Sequence, residues 1–345
     1  MHRQKVDDPT ISVGGRYVVF TSEATNLVTD DTNQQPDVFL HDRASGTTTR
    51  VSVRSDGAQA SGLSGSAEIS GDGATIVFDS DAGDLVDGDT NGLPDIYSHD
   101  RRTGETTRVS VTASGAQGDG LSVRPVVSRD GGFVAFSSLS TNLVPGNTND
   151  IGDAFRVDMS SAETTRVSLR ADGDQASGGS PFTSTYPLAI TTDGTRVSFE
   201  TESDLVDDDT NGQIDVYVRE RDAATTTRMS VGSADHELDG PSGDGSMSAD
   251  GRRVLFWTLA DGVISGDDNG MADLFVRNVN RGRTRLVSVA AEGGAANSDS
   301  SPGALTVGGR HVAFPSEASD LVSGDTNDEA DIFSPGQSGG RNCAP

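Results

Sequence analysis

The sequence predicts an all-β protein in which one four-stranded antiparallel unit occurs six times. The first observation is a repeated phrase that ends in phenylalanine, at positions 20, 78, 136, 199, 256 and 314. The second is a set of four short runs in each repeat, rich in Val, Ile, Phe and Thr and separated by Gly, Asp and Asn. No stretch has a convincing helical period. Six such sheets around an axis bury faces that one sheet leaves exposed, so we expect a six-bladed β-propeller, with an open β-solenoid as the alternative.

The four strands follow the same order in every unit. The first is short and apolar, as in Ala67–Ser70, and a Gly-Asp-Gly turn follows it. The second is the phenylalanine phrase, as in Ala74–Phe78, and an acidic loop separates it from the third, as in Asp95–Tyr97. The fourth is a Thr-Arg-Val-Ser run, as in Thr107–Val111. Alternating β-branched and aromatic residues between turn residues are typical of strands.

The first two strands carry a recognisable pattern, S-x-D-G-x-x-V-x-F-x-S, at Ser70–Ser80 and Ser128–Ser138. This pattern resembles the WD40-like repeat of TolB-type propellers, and the resemblance covers roughly residues 10–334. It implies the propeller fold. It implies no single function, because such propellers serve as envelope binding modules, as peptidase gating domains and as secreted proteins.

The ends of the chain predict an imperfect closure. The sixth unit reaches Asp331–Ser334 without a following Thr-Arg-Val-Ser strand. We therefore divide the chain into an N-terminal segment (1–10) with a candidate closing strand at Arg3–Val6, a propeller (11–334) and a flexible tail (335–345). Only four or five residues link this candidate strand to the first strand of the first unit, against about a dozen or more at the other such connections, so we expect the last blade to be incomplete or three-stranded.

The composition of the chain limits the classes of partner that it can bind. The chain has 53 acidic and 26 basic residues and a net charge of −27, which argues against nucleic acid and anionic membranes as partners. It contains no apolar run long enough to span a membrane. Cys343 is the only cysteine, so no disulfide forms within a chain. We expect a monomer.

The acidic loops before the third strands suggest calcium, which prefers six to eight hard oxygen ligands. Two loops fit D-x-D-x-N-G-x-x-D in full; their candidate ligands are Asp87, Asp89, Asn91 and Asp95, and Asp207, Asp209, Asn211 and Asp215. Four loops lack the first position; their candidates are Asp31, Asn33 and Asp37; Asn147, Asn149 and Asp153; Asp267, Asn269 and Asp273; and Asp325, Asn327 and Asp331. Asx-turns explain the same letters without metal. Crowded carboxylates favour calcium, because they repel each other unless a cation offsets them.

The acidic loops also resemble the calcium loops of integrin-type propeller blades in their chemistry. In a four-stranded meander they emerge at the same end as the connections to the next blade, as in Ser55–Gly62. We therefore expect one acidic, polar face, ordered by metal, that binds the partner.

Departures from the repeat are further candidates. Phe182 and Tyr186 lie in a longer connection, Trp257 follows a second strand, and Asp235–Glu237 forms an acidic loop. For Trp257, packing is favoured over stacking on a ligand. For the acidic loop, which could bind metal, simple solvation is favoured. The recurrent His41 and His99 are expected to be structural. The recurrent arginines of the fourth strands are expected to pair with carboxylates at the blade edge; they are Arg50, Arg108, Arg166, Arg228 and Arg285.

Catalysis gets little support, because the sequence contains no G-x-S-x-G, H-E-x-x-H or phosphate-binding glycine loop. The leading hypothesis is a non-enzymatic, calcium-stabilised, extracellular or periplasmic propeller that binds a protein or glycan through its acidic-loop face. The visible N-terminus lacks the apolar stretch of a signal peptide. The alternatives are a glycan hydrolase or lyase, a propeller associated with a hydrolase, and a TolB-like scaffold of the cell envelope.

Overall fold

The computed structural model describes residues 6–176, 185–327, 329–335 and 342–343, and these residues form strands, turns and loops with no helix. The strands form six antiparallel sheets, and strands adjacent in sequence are neighbours in each sheet. The protein is therefore a six-bladed β-propeller, and the expected fold class is confirmed.

The first three blades belong to a compact unit of residues 1–167 and 192–194. Their strands are β1 (Val6–Ile11), β2 (Tyr17–Ser22), β3 (Asp37–Asp42) and β4 (Thr47–Arg50); β5 (Ser64–Ile69), β6 (Thr75–Ser80), β7 (Asp95–Asp100) and β8 (Glu105–Arg108); and β9 (Ser122–Val127), β10 (Phe133–Ser138), β11 (Asp153–Asp158) and β12 (Glu163–Arg166).

The last three blades belong to a second unit of residues 168–191 and 195–345. Their strands are β13 (Tyr186–Ile190), β14 (Arg196–Thr201), β15 (Asp215–Glu220) and β16 (Thr225–Arg228); β17 (Ser242–Met247), β18 (Arg253–Thr258), β19 (Asp273–Asn278) and β20 (Arg283–Leu286); and β21 (Ala304–Leu305), β22 (Val312–Ser316), β23 (Asp331–Pro335) and β24 (Asn342–Cys343).

The middle two strands of each blade form its core. β6 and β7 are buried at almost every position, whereas β8 alternates between exposed and covered residues. In every blade the phenylalanine of the second strand lies beside an aromatic residue of the third, with ring centroids 5.8–6.0 Å apart. Both faces of the middle strands are therefore covered, and their polar residues are mostly buried as well.

The two ends of the chain differ from the expected boundaries. β1 begins at Val6 and pairs with β2, so residues 6–10 form the first strand of the first blade. The sequence did not predict this strand because it begins with the polar run Val-Asp-Asp-Pro. The register of the β1–β2 pair shifts between Asp7 and Thr10, around Pro9. The other residues of the candidate closing strand, Arg3 to Lys5, lie outside the described part of the chain.

The sixth blade is incomplete, as expected. Its main part is the three strands β21 to β23, and β21 has only two residues. β24 adds a two-residue pairing in which Cys343 faces Ser334 and Asn342 faces Pro335. Part of the tail predicted to be flexible is therefore paired with the blade edge.

Candidate functional site

Each acidic loop ends at an aspartate that opens the third strand. The loops span residues 23–36, 81–94, 139–152, 202–214, 259–272 and 317–330, and we number them first to sixth. In the second, Asp95 is fully buried; Ser110 Oγ donates to it at 2.5 Å and Gln117 Nε2 at 2.8 Å. Burial raises the pKa of Asp95, and the hydrogen bond from Ser110 opposes this effect.

The arginine that ends the fourth strand lies against this aspartate in the first four blades. The nitrogen–oxygen distances are 3.3 Å for Arg50–Asp37, 3.2 Å for Arg108–Asp95, 3.3 Å for Arg166–Asp153 and 3.6 Å for Arg228–Asp215. All four guanidiniums are at least nine-tenths buried. The expected pairing is confirmed for these residues, and it provides the cation that the crowded carboxylates require.

Arg285 does not occupy the corresponding position in the fifth blade. It faces Val276 across the β19–β20 pair and is exposed, whereas Leu286 faces Phe275. In the first four blades the arginine faces this aromatic residue of the third strand, as Arg228 faces Tyr217. The expectation for Arg285 is wrong, because the Thr-Arg pair in the fifth repeat is shifted by one residue relative to the strand register.

A glutamine completes the network in the first two loops. Gln117 Nε2 donates to Asp89 at 2.7 Å as well as to Asp95, and its Oε1 accepts from Thr90 N at 3.1 Å. Gln59 connects Asp31 and Asp37 in the same way. Sequence reasoning missed these glutamines, although their constant spacing of 22 residues after the last aspartate is a usable signal.

The fourth loop uses a glutamate at this position. Glu237 accepts from Arg228 Nη1 at 2.8 Å and from Thr210 N at 2.6 Å, and these bonds oppose burial to lower its pKa to about 2. Arg228 also lies 3.4 Å from Asp209, and Tyr217 OH donates to that carboxylate. The Asp235–Glu237 loop is therefore part of an ion-pair cluster rather than simply solvated.

The structure does not bring all the candidate calcium ligands together. Asp87 and Asp207, the first positions of the two full loops, are each 97% exposed and contact Arg54 and Arg170 instead. Asn91 uses Oδ1 to accept from Leu93 N at 2.9 Å, which makes an Asx-turn, and its Nδ2 donates to Gly118 O. Asn33, Asn211, Asn269 and Asn327 make the same turn.

The third and sixth loops vary the arrangement. In the third, Arg166 Nη1 donates to Asn147 Oδ1 at 3.1 Å, and neither side-chain polar atom of the partly buried Asn149 has a hydrogen-bond partner. In the sixth, Asp325 and Asp331 are partly exposed, and Asn327 Nδ2 donates to Asp331 at 3.3 Å. Water screens carboxylates in such a position.

The fifth loop lacks the donors that the other buried loops share. Leu286 stands where the arginine is, and Ala295 stands where the glutamine or glutamate is. Asp267 is 2% exposed and Asp273 1% exposed, and no ion pair in the described chain involves either. Burial, followed by the charge of Asp273, raises the pKa of Asp267 to about 6.

Other flagged residues have packing roles. Trp257 is half-buried against the apolar cluster of the fifth and sixth blades, as expected. His99 Nδ1 lies 2.9 Å from Thr106 Oγ1, and His41 Nδ1 lies 3.0 Å from Thr48 Oγ1, which supports a structural role for both. Tyr186 opens β13, and Phe182 lies outside the described residues.

Across the described chain, no three His, Cys, Asp or Glu side chains converge to form a metal site, and no helix is long and apolar enough to cross a membrane.

Comparisons with known proteins identify the fold. No family model and no curated protein matches the chain. A structure of oligogalacturonate lyase in complex with manganese is 11% identical, with a TM-score of 0.58, over 97% of this chain and 75% of that one. The propeller domain of the trilobed protease from Pyrococcus furiosus, described as having an open velcro topology, is 10% identical, with a TM-score of 0.58, over 98% of this chain and 83% of that one.

TolB from Acinetobacter baumannii is also similar, at 15% identity and a TM-score of 0.49 over 90% of this chain. This chain spans 60% of the length of that TolB. At such identities the likeness extends to the β-propeller fold alone.

Proposed function

We propose that this chain is a non-catalytic propeller that binds a protein or glycan through its loop face. In each compact unit, the loop face consists of the acidic loops of that unit and the connections that lead to the next blade. The partner is extracytoplasmic, in a setting where calcium is abundant enough to bind the loops. Calcium that binds only the folded state raises its stability by mass action.

One observation carries the proposal: large apolar side chains are exposed among the acidic residues of this face. In the second unit they are Ile214 in the fourth loop and Leu259 and Met271 in the fifth, exposed by 37%, 46% and 38%. Ser242 N donates to Ile214 O, and Leu259 N donates to Pro241 O, so the segments of adjacent blades are joined here. Exposed apolar side chains with a polar surround are typical of recognition surfaces.

The chemistry of the buried carboxylates supports binding over catalysis. In the first four blades their oxygens accept from arginine, glutamine, serine or tyrosine of the same network. A carboxylate that holds a guanidinium in place is poorly suited to move a proton. These residues therefore give the loop face a fixed shape, which lowers the cost of ordering it on binding.

The test is to map binding onto the face. Fluorescently labelled protein is screened against neutral, cationic and acidic glycans and against purified extracytoplasmic proteins, and the hit is measured with Leu259→Asp/Met271→Asp. We expect this variant to weaken binding by about tenfold or more, as loss of a central contact does. The matched control is Val307→Asp in the β21–β22 turn, where Val307 is also exposed.

Two results would contradict the proposal. One is unchanged binding in the loop-face variant together with loss of binding in the Val307 variant. The other is turnover of a glycan or peptide that a single substitution abolishes, because that result requires a catalytic group.

A further inference from the structure

The fourth and fifth loops present the same backbone positions with different partners. Asp209 and Asp267 both lie six residues before the last aspartate, Asp215 or Asp273. In the fourth loop this pair receives Arg228 Nη1 at 3.4 and 3.6 Å and the hydroxyl of Tyr217. In the fifth loop three substitutions remove these groups together: Leu286 for the arginine, Phe275 for the tyrosine and Ala295 for the glutamate.

The fifth loop therefore buries two carboxylates without a built-in cation. Ser288 Oγ and Asn269 Nδ2 donate to Asp273, which uses both of its oxygens. Oδ2 of Asp267 is buried and has no hydrogen-bond partner. In the fourth loop the corresponding unbonded oxygen, Oδ1 of Asp209, still faces Arg228 at 3.4 Å. A buried carboxylate without a counter-charge is costly, and the cost falls when the group takes up a proton or when a cation binds beside it.

The chemistry of the site selects the class of cation. Every candidate ligand in the fifth loop is a hard oxygen, which disfavours zinc and copper. Two carboxylates on a loop suit calcium better than the rigid octahedron of magnesium. We infer that the fifth acidic loop binds one calcium ion between Asp267 and Asp273, in the place that Arg228 fills in the fourth loop.

This inference deepens the calcium part of the proposed function, because it selects one loop out of six. The loops of the first four blades already hold a guanidinium beside the last aspartate, and a second cation there would be repelled. The sixth loop is more exposed, so water stabilises its carboxylates. The fifth loop, which matches the calcium pattern less completely than the second and fourth loops, is thus the one in which the structure favours a bound calcium ion.

Calorimetric titration of the EDTA-stripped protein with calcium chloride, and with magnesium chloride as the comparison ion, tests the inference. We expect one calcium ion per chain and a calcium-dependent rise in Tm. Asp267→Asn should weaken calcium binding by about tenfold or more, because affinity follows the charge of the ligands. Leu286→Arg/Ala295→Gln, which restores the donors of the second loop, should abolish binding. Asp209→Asn is the matched control and should leave the calcium-dependent rise in Tm unchanged.

Retention of the full calcium response in Asp267→Asn overturns the inference, as does the absence of any response in the wild type at millimolar calcium. If Leu286→Arg/Ala295→Gln does not fold, Asp267→Asn and Asp273→Asn decide the question. The binding test on Leu259→Asp/Met271→Asp is read separately in EDTA. If the fifth loop binds no calcium but partner binding maps to the loop face, only this inference is refuted. If the fifth loop binds calcium but partner binding does not map to the loop face, only the proposed function is refuted.

Discussion

The fourth and fifth acidic loops place aspartates at matching positions but surround them with different side chains. In the fourth, Arg228 lies among Asp209, Asp215 and Glu237, and Tyr217 adds a hydroxyl. In the fifth, apolar side chains occupy the positions of all three partners. The letters of the two loops nevertheless look alike, and the fourth has more of the calcium pattern than the fifth.

The comparison teaches that an acidic loop cannot be interpreted from its own letters. What decides whether a cation must come from solution is the residue 13 positions after the last aspartate, on another strand, and the residue 22 positions after it, on another connection. In a repeat protein these positions recur with the period, so one departure marks one blade.

The largest effect is expected from removing the internal cation. Arg228→Met leaves Asp209, Asp215 and Glu237 without a counter-charge and should lower the free energy of unfolding by about 3–5 kcal/mol, as breaking a buried pair does. Urea unfolding at pH 7 in EDTA measures it. The control is Arg285→Met, because Arg285 is exposed in the equivalent strand. A loss as small as that of the control would show that the fourth network does not depend on its arginine.

The pH dependence of the fifth loop should be the next largest effect. The pKa of Asp267 is raised from 3.8 to about 6 in the folded state. Between these values the folded state binds more protons than the unfolded state, so stability falls as pH rises, by at most about 3 kcal/mol. In EDTA, Asp267→Asn should remove this fall and stabilise the protein above pH 6, with little effect near pH 4.

Calcium should reverse the sign of the stability change that Asp267→Asn causes. At pH 8 with saturating calcium, Asp267→Asn loses a ligand and should be the less stable protein. Thermal unfolding across pH 4–8, with EDTA or with calcium, measures both effects. If the stability difference between Asp267→Asn and the wild type were the same with EDTA and with calcium, Asp267 would have no part in binding the metal.

A single hydroxyl should make the two loops more alike. Tyr217→Phe removes the donor to Asp209 and should cost about 2 kcal/mol, within the range for a hydrogen bond to a charged group. Phe275→Tyr offers the equivalent donor to Asp267 and should stabilise the calcium-free protein while weakening calcium binding. Denaturant midpoints of both variants provide the measurement. A destabilising Phe275→Tyr would mean that the fifth loop has no space for the hydroxyl.

The smallest effect is expected at the exposed start of the fourth loop. Asp207 is 97% exposed and pairs only with Arg170, so Asp207→Ala should leave the unfolding midpoint unchanged. The fifth loop has Ser265 at this position and serves as the natural comparison. A clear drop in midpoint would assign Asp207 a role that its exposure does not suggest.

Much of this architecture is predictable from the sequence because the repeat fixes it. The phenylalanine period places the middle strands, and the missing Thr-Arg-Val-Ser run predicts the short sixth blade. β1 was not predicted in full because its polar residues and Pro9 lie at an irregular pairing. The difference of the fifth loop was not predicted because Arg285 aligns with Arg228 in the sequence, whereas the strand register places Leu286 at that position. The roles of Gln59 and Gln117 were not predicted because each glutamine lies a full connection away from its partners in the sequence.

The most direct measurement is the number of calcium ions that each chain holds, from equilibrium dialysis followed by elemental analysis, for the wild type and for Arg228→Leu/Tyr217→Phe/Glu237→Ala. The wild type should bind one ion, in the fifth loop. The variant gives the fourth loop the side chains of the fifth and should bind two. Two or six ions in the wild type would mean that the loop letters alone select calcium. No ion in the wild type, or no gain in the variant, would contradict the claim that a missing arginine creates the site.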